Sequence, residues 1–315
     1  MQNDLASPLV EDEIDLKEIA VALWRGKTII IAIVSVCAIL AVTVALLIPN
    51  QYKATAVVAP AQSSSSSALG AMASRLGGLA TLAGINVGSG DNVTEAQTAI
   101  EIMQSWQFIE TFVQSHNLQA AIFAADGWNS QTNQITFNSD IHDSERDEWI
   151  RKPPSGKTAQ PASWELYQEF SNRLSVSTEK TSGLITISIE YYSPILAQQW
   201  VELYISSINA YMRERKLTQV NNNIDYLKAQ ITKTAFADMK EVFYQIIEEQ
   251  IKSKMLAEAS PEYAFVTVNP AMVPEEKSSP KRALICLLVT FLGFMLAVFI
   301  VLIRHYATST NVDIK

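Results

Sequence analysis

Two short runs, Gly26-Lys27-Thr28 and Gly156-Lys157-Thr158, carry the glycine, lysine and hydroxyl that close a phosphate-binding loop. Such a loop cradles phosphate with backbone N–H groups and needs another glycine five positions earlier. Val21 and Arg151 stand there, so neither run completes it. The histidines His116, His142 and His305 lie in unrelated stretches, without the spacing that brings imidazoles together on one metal ion. Glu248 and Glu249 sit in a helical pattern, where a solvated carboxylate is the ordinary state and acid–base work the exception. Asn92-Val93-Thr94 fits a glycosylation sequon but is better explained as a helix start. The residues thus offer no catalytic, cofactor-binding or metal-ligating set. The expectation is a protein that is not an enzyme and takes no cofactor.

The elements that organise the chain are two uncharged runs. Residues 283–303 (ALICLLVTFLGFMLAVFIVLI) supply about 21 apolar positions, enough for a helix to cross a hydrocarbon core of roughly 30 Å. Lys281 and Arg282 bracket the run on one side, Arg304 and His305 on the other. Residues 28–48 form a matching run after Arg25 and Lys27. A cleaved signal sequence competes here, because Ala54-Thr55-Ala56 resembles a cleavage site. The run is too long for one, and acidic Glu11, Asp12, Glu13 and Asp15 precede it.

Two spans place the tails, 1–27 and 304–315, on one side of a membrane and the loop 49–282 on the other. Tails of about 27 and 12 residues are too short for a kinase, nucleotide-binding or DNA-binding domain. Lys17, Arg25 and Lys27 favour a cytoplasmic amino terminus, while Lys277, Lys281 and Arg282 weigh the other way; long loops cross largely regardless of charge. Cys37 and Cys286 both lie in the spans, so the loop cannot hold a disulfide. A net charge of −8 argues against non-specific nucleic-acid binding.

Within the loop, residues 52–59 read as a strand ending at Pro60. Residues 61–90, rich in Ser, Ala and Gly, read either as a linker or as a loop that orders against a neighbour. Residues 94–117 read as one helix with Ala99, Ile102, Met103, Trp106, Ile109 and Val113 on its apolar face. Residues 128–161 read as a surface loop with a short strand at 135–138, and 164–172 as a short helix. Residues 174–179 and 184–191 form a hairpin: Ile185, Ile187 and Ile189 alternate with Thr186, Ser188 and Glu190, the mark of a half-buried strand. A helix of roughly 60 Å runs from 194 to about 234 at 1.5 Å per residue. Leu217, Val220, Ile224, Leu227 and Ile231 form a heptad-like seam along it. Helical pattern continues to 259 with Phe236, Met239, Phe243, Ile246, Gln250 and Lys254 in its stripe, and a bend near 232–234 would fold it back. A last strand spans 265–268. Ahead of the first span, residues 13–24 read as an amphipathic helix ending in Trp24 at the membrane boundary. The fold class is α+β: a base at 49–193 plus 260–282, and a protruding trunk at 194–259.

Ahead of the second span stand Pro270, Pro274, Ser279, Pro280 and Lys281, followed by Gly293 and Met295. This spacing resembles the proline-rich signature of the polysaccharide co-polymerases, the Wzz-type chain-length determinants. The first proline gap is longer than in that signature, Phe294 replaces a usual glycine, and Ala297-Val298-Phe299 lacks later ones. The span is therefore not expected to make a close glycine-mediated helix contact. The phrases SIEYYSP and EYAFVTVNPAMVPE and the two-span layout extend the resemblance over nearly the whole chain.

The resemblance implies a bacterial inner-membrane protein that sets how many repeat units enter a lipid-linked polysaccharide such as O antigen. It implies a ring-like homo-oligomer of about eight subunits, working with a membrane polymerase, with the loop periplasmic. On that reading the trunk residues Leu217 to Ile231 mediate assembly, and the prolines either fix the angle of the second span or only separate strand from span. Two alternatives stand beside it: a co-polymerase for capsule or exopolysaccharide export with a separate tyrosine kinase, and a periplasmic ligand sensor.

Overall fold

The computed structural model describes residues 23–61 and 95–309, with side chains to Arg304. The amphipathic stretch 13–22, the segment 62–94 with its sequon and helix-start residue Thr94, and the tail from 310 lie outside the described residues. The chain divides into two compact units, Met1–Pro49 with Ser279–Lys315, and Asn50–Ser278.

The first unit is a helix pair, α1 (Lys27–Leu47) and α8 (Arg282–Ser309). The second is α+β. In chain order it holds β1 (Tyr52–Pro60), α2 (Glu95–Gln104), α3 (Trp106–Ser115), α4 (Gln119–Phe123), β2 (Ala125–Asn129), β3 (Gln134–Phe137), β4 (His142–Asp143) and β5 (Glu148–Trp149). Then follow α5 (Ser163–Arg173), β6 (Leu174–Thr178), β7 (Ile185–Tyr191), α6 (Pro194–Lys233), α7 (Ala237–Ala259) and β8 (Phe265–Asn269).

The main sheet is four-stranded, in the order β6-β7-β1-β8, and antiparallel throughout. Alternation decides its faces. Ile185, Ile187, Ile189 and Tyr191 of β7 are buried, and Ala54, Ala56 and Val58 of β1 lie beside them. Small side chains on β1 let the first half of α6 lie close over that face, with Ala197, Val201, Tyr204, Ile205 and Ile208 in one core with the strands. The polar positions Thr186 and Glu190 face the other way and are half-exposed. Gly183, at φ 70, turns β6 into β7.

Helix α6 begins where local chemistry dictates: Ser193 caps Leu196 N–H at 3.3 Å, and Pro194 fills the first turn, where no N–H is needed. It runs 40 residues. Thr234 is extended, the helix ends, and α7 returns along it. Ile247 of α7 is buried against Val220 and Ile224.

In the second unit the structure corrects three expectations. The single helix over 94–117 is broken at Ser105, whose hydroxyl caps Phe108 N–H and starts a new helix. The break rotates the apolar stripe: Phe108 and Phe112 enter the core, while Trp106 is 47% exposed. The loop over 128–161 contains two small hairpins, β2–β3 and β4–β5, and the short strand at 135–138 has β2 as its partner. On α7 the expected stripe holds at Phe243, Gln250 and Lys254, which are half-buried, but Ile247 takes the buried place while Ile246 and Met239 are exposed.

Arg151 and Glu165 close the segment between β5 and α5. Their guanidinium and carboxylate meet at 2.7 Å, Lys157 Nζ adds a contact at 3.1 Å, and Glu165 accepts the Ala162 N–H at 2.9 Å. Lys157, of the second phosphate-loop-like run, is thus occupied by a carboxylate. The Arg151 hydrogen bond, against the opposing cost of burial, holds the Glu165 carboxyl down at about 2. A depressed carboxylate contributes stability that is complete above its ordinary range and lost as pH falls through the depressed value. Thermal melts of the full chain should therefore show a loss of stability from about pH 4.5 toward pH 2 that Glu165→Gln removes. An identical pH profile for the variant would refute the assignment.

Candidate functional site: a two-helix hairpin and a helical arm

Three contacts set the direction of the helix pair. Gly26 abuts Val301, Cys37 abuts Gly293, and Arg282 donates to the Ile48 carbonyl at 3.4 Å. Positions that rise along α1 fall along α8, so the helices are antiparallel. Cys37, Ala41 and Ala45 recur every four residues on one face of α1, and Gly293, Ala297 and Val301 do so on α8. Ala41, Ala45, Ala297 and Val301 are all buried. A Cβ on Gly293 would stand 2.7 Å from Cys37 Cβ and 2.8 Å from its Sγ. The expectation of no close glycine-mediated contact is therefore overturned. One glycine in register with an alanine suffices, because the opposing helix also presents small side chains. Met295 is exposed and takes no part in this seam.

The remaining surface of the pair is apolar and open. Ile39 is 67% exposed and Phe299 64%. A core helix of a water-soluble protein would hide such side chains, whereas lipid is their natural solvent. Two of the hydroxyls inside the runs are satisfied within their own helices: Thr43 donates to Ile39 C=O at 2.8 Å and Thr290 to Cys286 C=O at 2.6 Å. Both helices are long and apolar enough to span a bilayer. Lys27 Nζ lies 5.1 Å from the Trp24 ring at the start of α1.

The proline-flanked residues fall in both units. Pro270 is exposed and Pro274 half-buried in the segment after β8. That segment is tied down by Ser278, which sequence reasoning missed in favour of Ser279. Its N–H donates to the Gln51 carbonyl at 2.9 Å, and its hydroxyl donates to Glu190 Oε1 at 2.6 Å. The returning chain is thus latched to the start of β1 and the end of β7. Pro280 is buried in the helix-pair unit, and the Lys281 carbonyl accepts the first N–H groups of α8, from Leu284 and Ile285.

Asn209 was also missed. It is 3% exposed, one turn after Ile205 on the buried face of α6. Its Oδ1 accepts the N–H groups of Ala264 and Phe265, each at 2.8 Å, and its Nδ2 donates to the Phe265 carbonyl at 2.9 Å. Glu262 accepts the Thr267 N–H at 3.0 Å. Side chains therefore occupy much of the outer edge of β8, which blunts it against pairing with other strands. An amide on an otherwise apolar stripe is the one sequence signal that could have singled Asn209 out.

The second half of α6 and α7 form an arm. Val220 and Ile224 are buried in its seam, Leu227 and Ile231 are partly buried against them, and Leu217 is half-buried. The seam residues named from the heptad spacing thus meet α7 of the same chain. Lys252 pairs with Glu248 and Glu249, at 2.9 and 3.2 Å, so that acidic pair is a solvated ion-pair cluster. Either side of the seam, α7 exposes apolar side chains: Val242, Ile246 and Leu256 on one flank, Tyr244, Ile251 and Met255 on the other.

Among the described residues no group of His, Cys, Asp and Glu could hold a metal ion. His116 meets Ser207 and His142 meets Asp147.

A family model described as a chain length determinant protein, Wzz, matches residues 12–116. Over those residues the chain is similar to the Wzz-type chain length determinants. A second model, a G-rich domain on putative tyrosine kinase, matches residues 238–306, from α7 into α8. No curated protein sequence matches the chain. Among solved structures it is similar to a full-length bacterial polysaccharide co-polymerase, at 18% identity and a TM-score of 0.37, over 95% of this chain and 99% of that one. It is also similar to a fragment of WzzB, a polysaccharide co-polymerase from Salmonella Typhimurium, at 12% identity and a TM-score of 0.30, over 73% of this chain and 100% of that one. Its two apolar helices fit an inner-membrane protein with a periplasmic domain.

Proposed function

We propose that this protein sets the chain length of an O-antigen-type lipopolysaccharide as a non-catalytic oligomer acting beside a membrane polymerase. The chain length determinant match over 12–116 carries the reading. Both tails lie in the cytoplasm and residues 49–282 in the periplasm, with the lipid-linked polysaccharide growing alongside. The base takes in 49–193, 260–282 and the core-forming first half of α6, and the arm is the rest of 194–259. Copies assemble side by side in a ring of about eight, the closed cyclic arrangement natural to head-to-tail contacts between chains held in one orientation by a membrane.

The exposed flanks of α7 supply the apolar surface such contacts need. The seam Leu217, Val220, Ile224, Leu227 and Ile231 stiffens the arm that carries them. Pro270, Pro274, Ser279, Pro280 and Lys281 set the path into α8, and Gly293 locks α8 to α1. Deleting the gene should broaden the polysaccharide ladder on a gel, and restoring it should return a single modal length. An unchanged ladder refutes the reading, and a monomeric mass in lipid discs refutes its oligomeric part.

A second reading is favoured by the match over 238–306. It is a co-polymerase for capsule or exopolysaccharide export, partnered by a separate tyrosine kinase. Loss of exported polysaccharide with an intact lipopolysaccharide ladder would select it.

A further inference from the structure

A cavity of about 310 Å³ opens on the second unit between the α2–α3 junction, α5 and the edge strand β6. Gln104, Tyr167, Ser171 and Ser175 supply its polar lining, and no charged side chain lines it. Trp164, Tyr167 and Ser171 recur at helical spacing on one face of α5, while Leu166 and Phe170 turn into the core. Trp164 continues that wall: it is 56% exposed and its ring lies 5.2 Å from that of Tyr167. On α3, Trp106 stands one turn before Glu110, which is hydrogen-bonded to Ser163, next to Trp164.

Two features here are unexplained by folding. Large aromatic faces are left in water although nothing in the fold needs them there. Ser171 Oγ is hidden from solvent yet has no hydrogen-bond partner, a state that costs free energy unless something fills it. Among the described residues neither indole N–H, of Trp106 or Trp164, meets a hydrogen-bond acceptor, so both donors are open to a ligand.

We propose that this groove is a saccharide-binding subsite. A sugar ring carries an apolar C–H face and a rim of neutral hydroxyls. The groove offers the same alternation, aromatic faces beside an amide, hydroxyls and indole donors, at the small end of the usual pocket range. A protein-docking surface is flatter and apolar at its centre, as the flanks of α7 are. The absence of charge in the lining selects neutral sugar units. The site would hold a segment of the growing polysaccharide against the base, so it rests on the chain-length reading and gives it a point of contact.

The test uses the full chain in lipid discs and polysaccharide released by mild acid from the surface glycolipid of the cells that make the protein. Wild type should bind it saturably. Trp164→Ala with Tyr167→Ala should weaken binding about tenfold or more, while Trp164→Phe, which keeps an aromatic face, stays within about threefold. Trp164 is exposed, whereas Tyr167 is half-buried against the core and donates to the Gln104 carbonyl at 3.4 Å, so melting curves of the variants separate lost binding from lost fold. No saturable binding, or binding indifferent to the double variant, overturns the proposal. So does a photo-crosslinker at position 175 that captures a polypeptide while no glycan binds. The polysaccharide ladder is read in the same strains. A groove that fails while wild type still sets a modal length sinks only the subsite. A groove that binds while the ladder ignores the gene sinks only the chain-length reading.

Discussion

Replacing Asn209 by leucine should lower the melting temperature of the full chain by roughly 6–12 °C. The side chain is buried and bonds the N–H groups of Ala264 and Phe265 and the carbonyl of Phe265. Ala264 and Phe265 are themselves buried, so water cannot replace the lost partner. Each orphaned backbone group costs about 1–3 kcal/mol, and three together make at least about 3 kcal/mol. Leucine fills the volume, so the loss is polar in origin; Asn209→Ala should cost as much or more. A fall of less than about 2 °C for leucine would show that the clamp contributes little. The change would also free the outer edge of β8, so the variant should self-associate through that strand more readily than wild type does.

The second large effect concerns the helix pair. Gly293→Ala places a methyl group 2.7 Å from Cys37 Cβ, and relieving that overlap by moving the helices should cost about 1–3 kcal/mol. Cys37→Ala cannot help, because the offending Cβ remains. Cys37→Gly removes it, so the double variant Cys37→Gly with Gly293→Ala should recover most of the loss. Unfolding of the full chain from lipid-like micelles by added strong detergent would measure all the variants. A Gly293→Ala variant as stable as wild type, or a loss that Cys37→Gly leaves unchanged, would show that the two helices do not meet at this point. Gly293→Leu should be worse than Gly293→Ala whatever stands at position 37, since its branched end has to enter the seam as well.

Several elements were legible in the sequence because their cause is local. An uncharged run of about 21 residues needs only its own composition to demand a bilayer. The alternation Ile185, Ile187, Ile189 needs only the pleat of a strand to reveal which face is buried. Ser193 and Pro194 start α6, and the spacing from Val220 to Ile231 marks where it meets another helix, within a few residues of each signal. What the seam meets was not legible: spacing alone does not tell a neighbouring copy from a return of the same chain, and the partner is Ile247 of α7. The break at Ser105 was hidden too, because the apolar spacing on either side fits one helix almost as well as two.

The residues that hold the elements together owe their roles to partners far along the chain. Asn209 answers to Ala264, 55 residues on, and Ser278 to Glu190, 88 residues back. Gly293 is small because Cys37 occupies the space beside it. The groove beside Trp164 exists only because α2, α3, α5 and β6 converge there. By itself the sequence determined the two spans, the hairpin β6–β7 and the long helix, since hydrophobic periodicity and capping act within a few turns. Tertiary structure alone decided which polar groups are clamped, which small residues touch and where a concave surface forms, since those depend on atoms that folding brings together from distant parts of the chain.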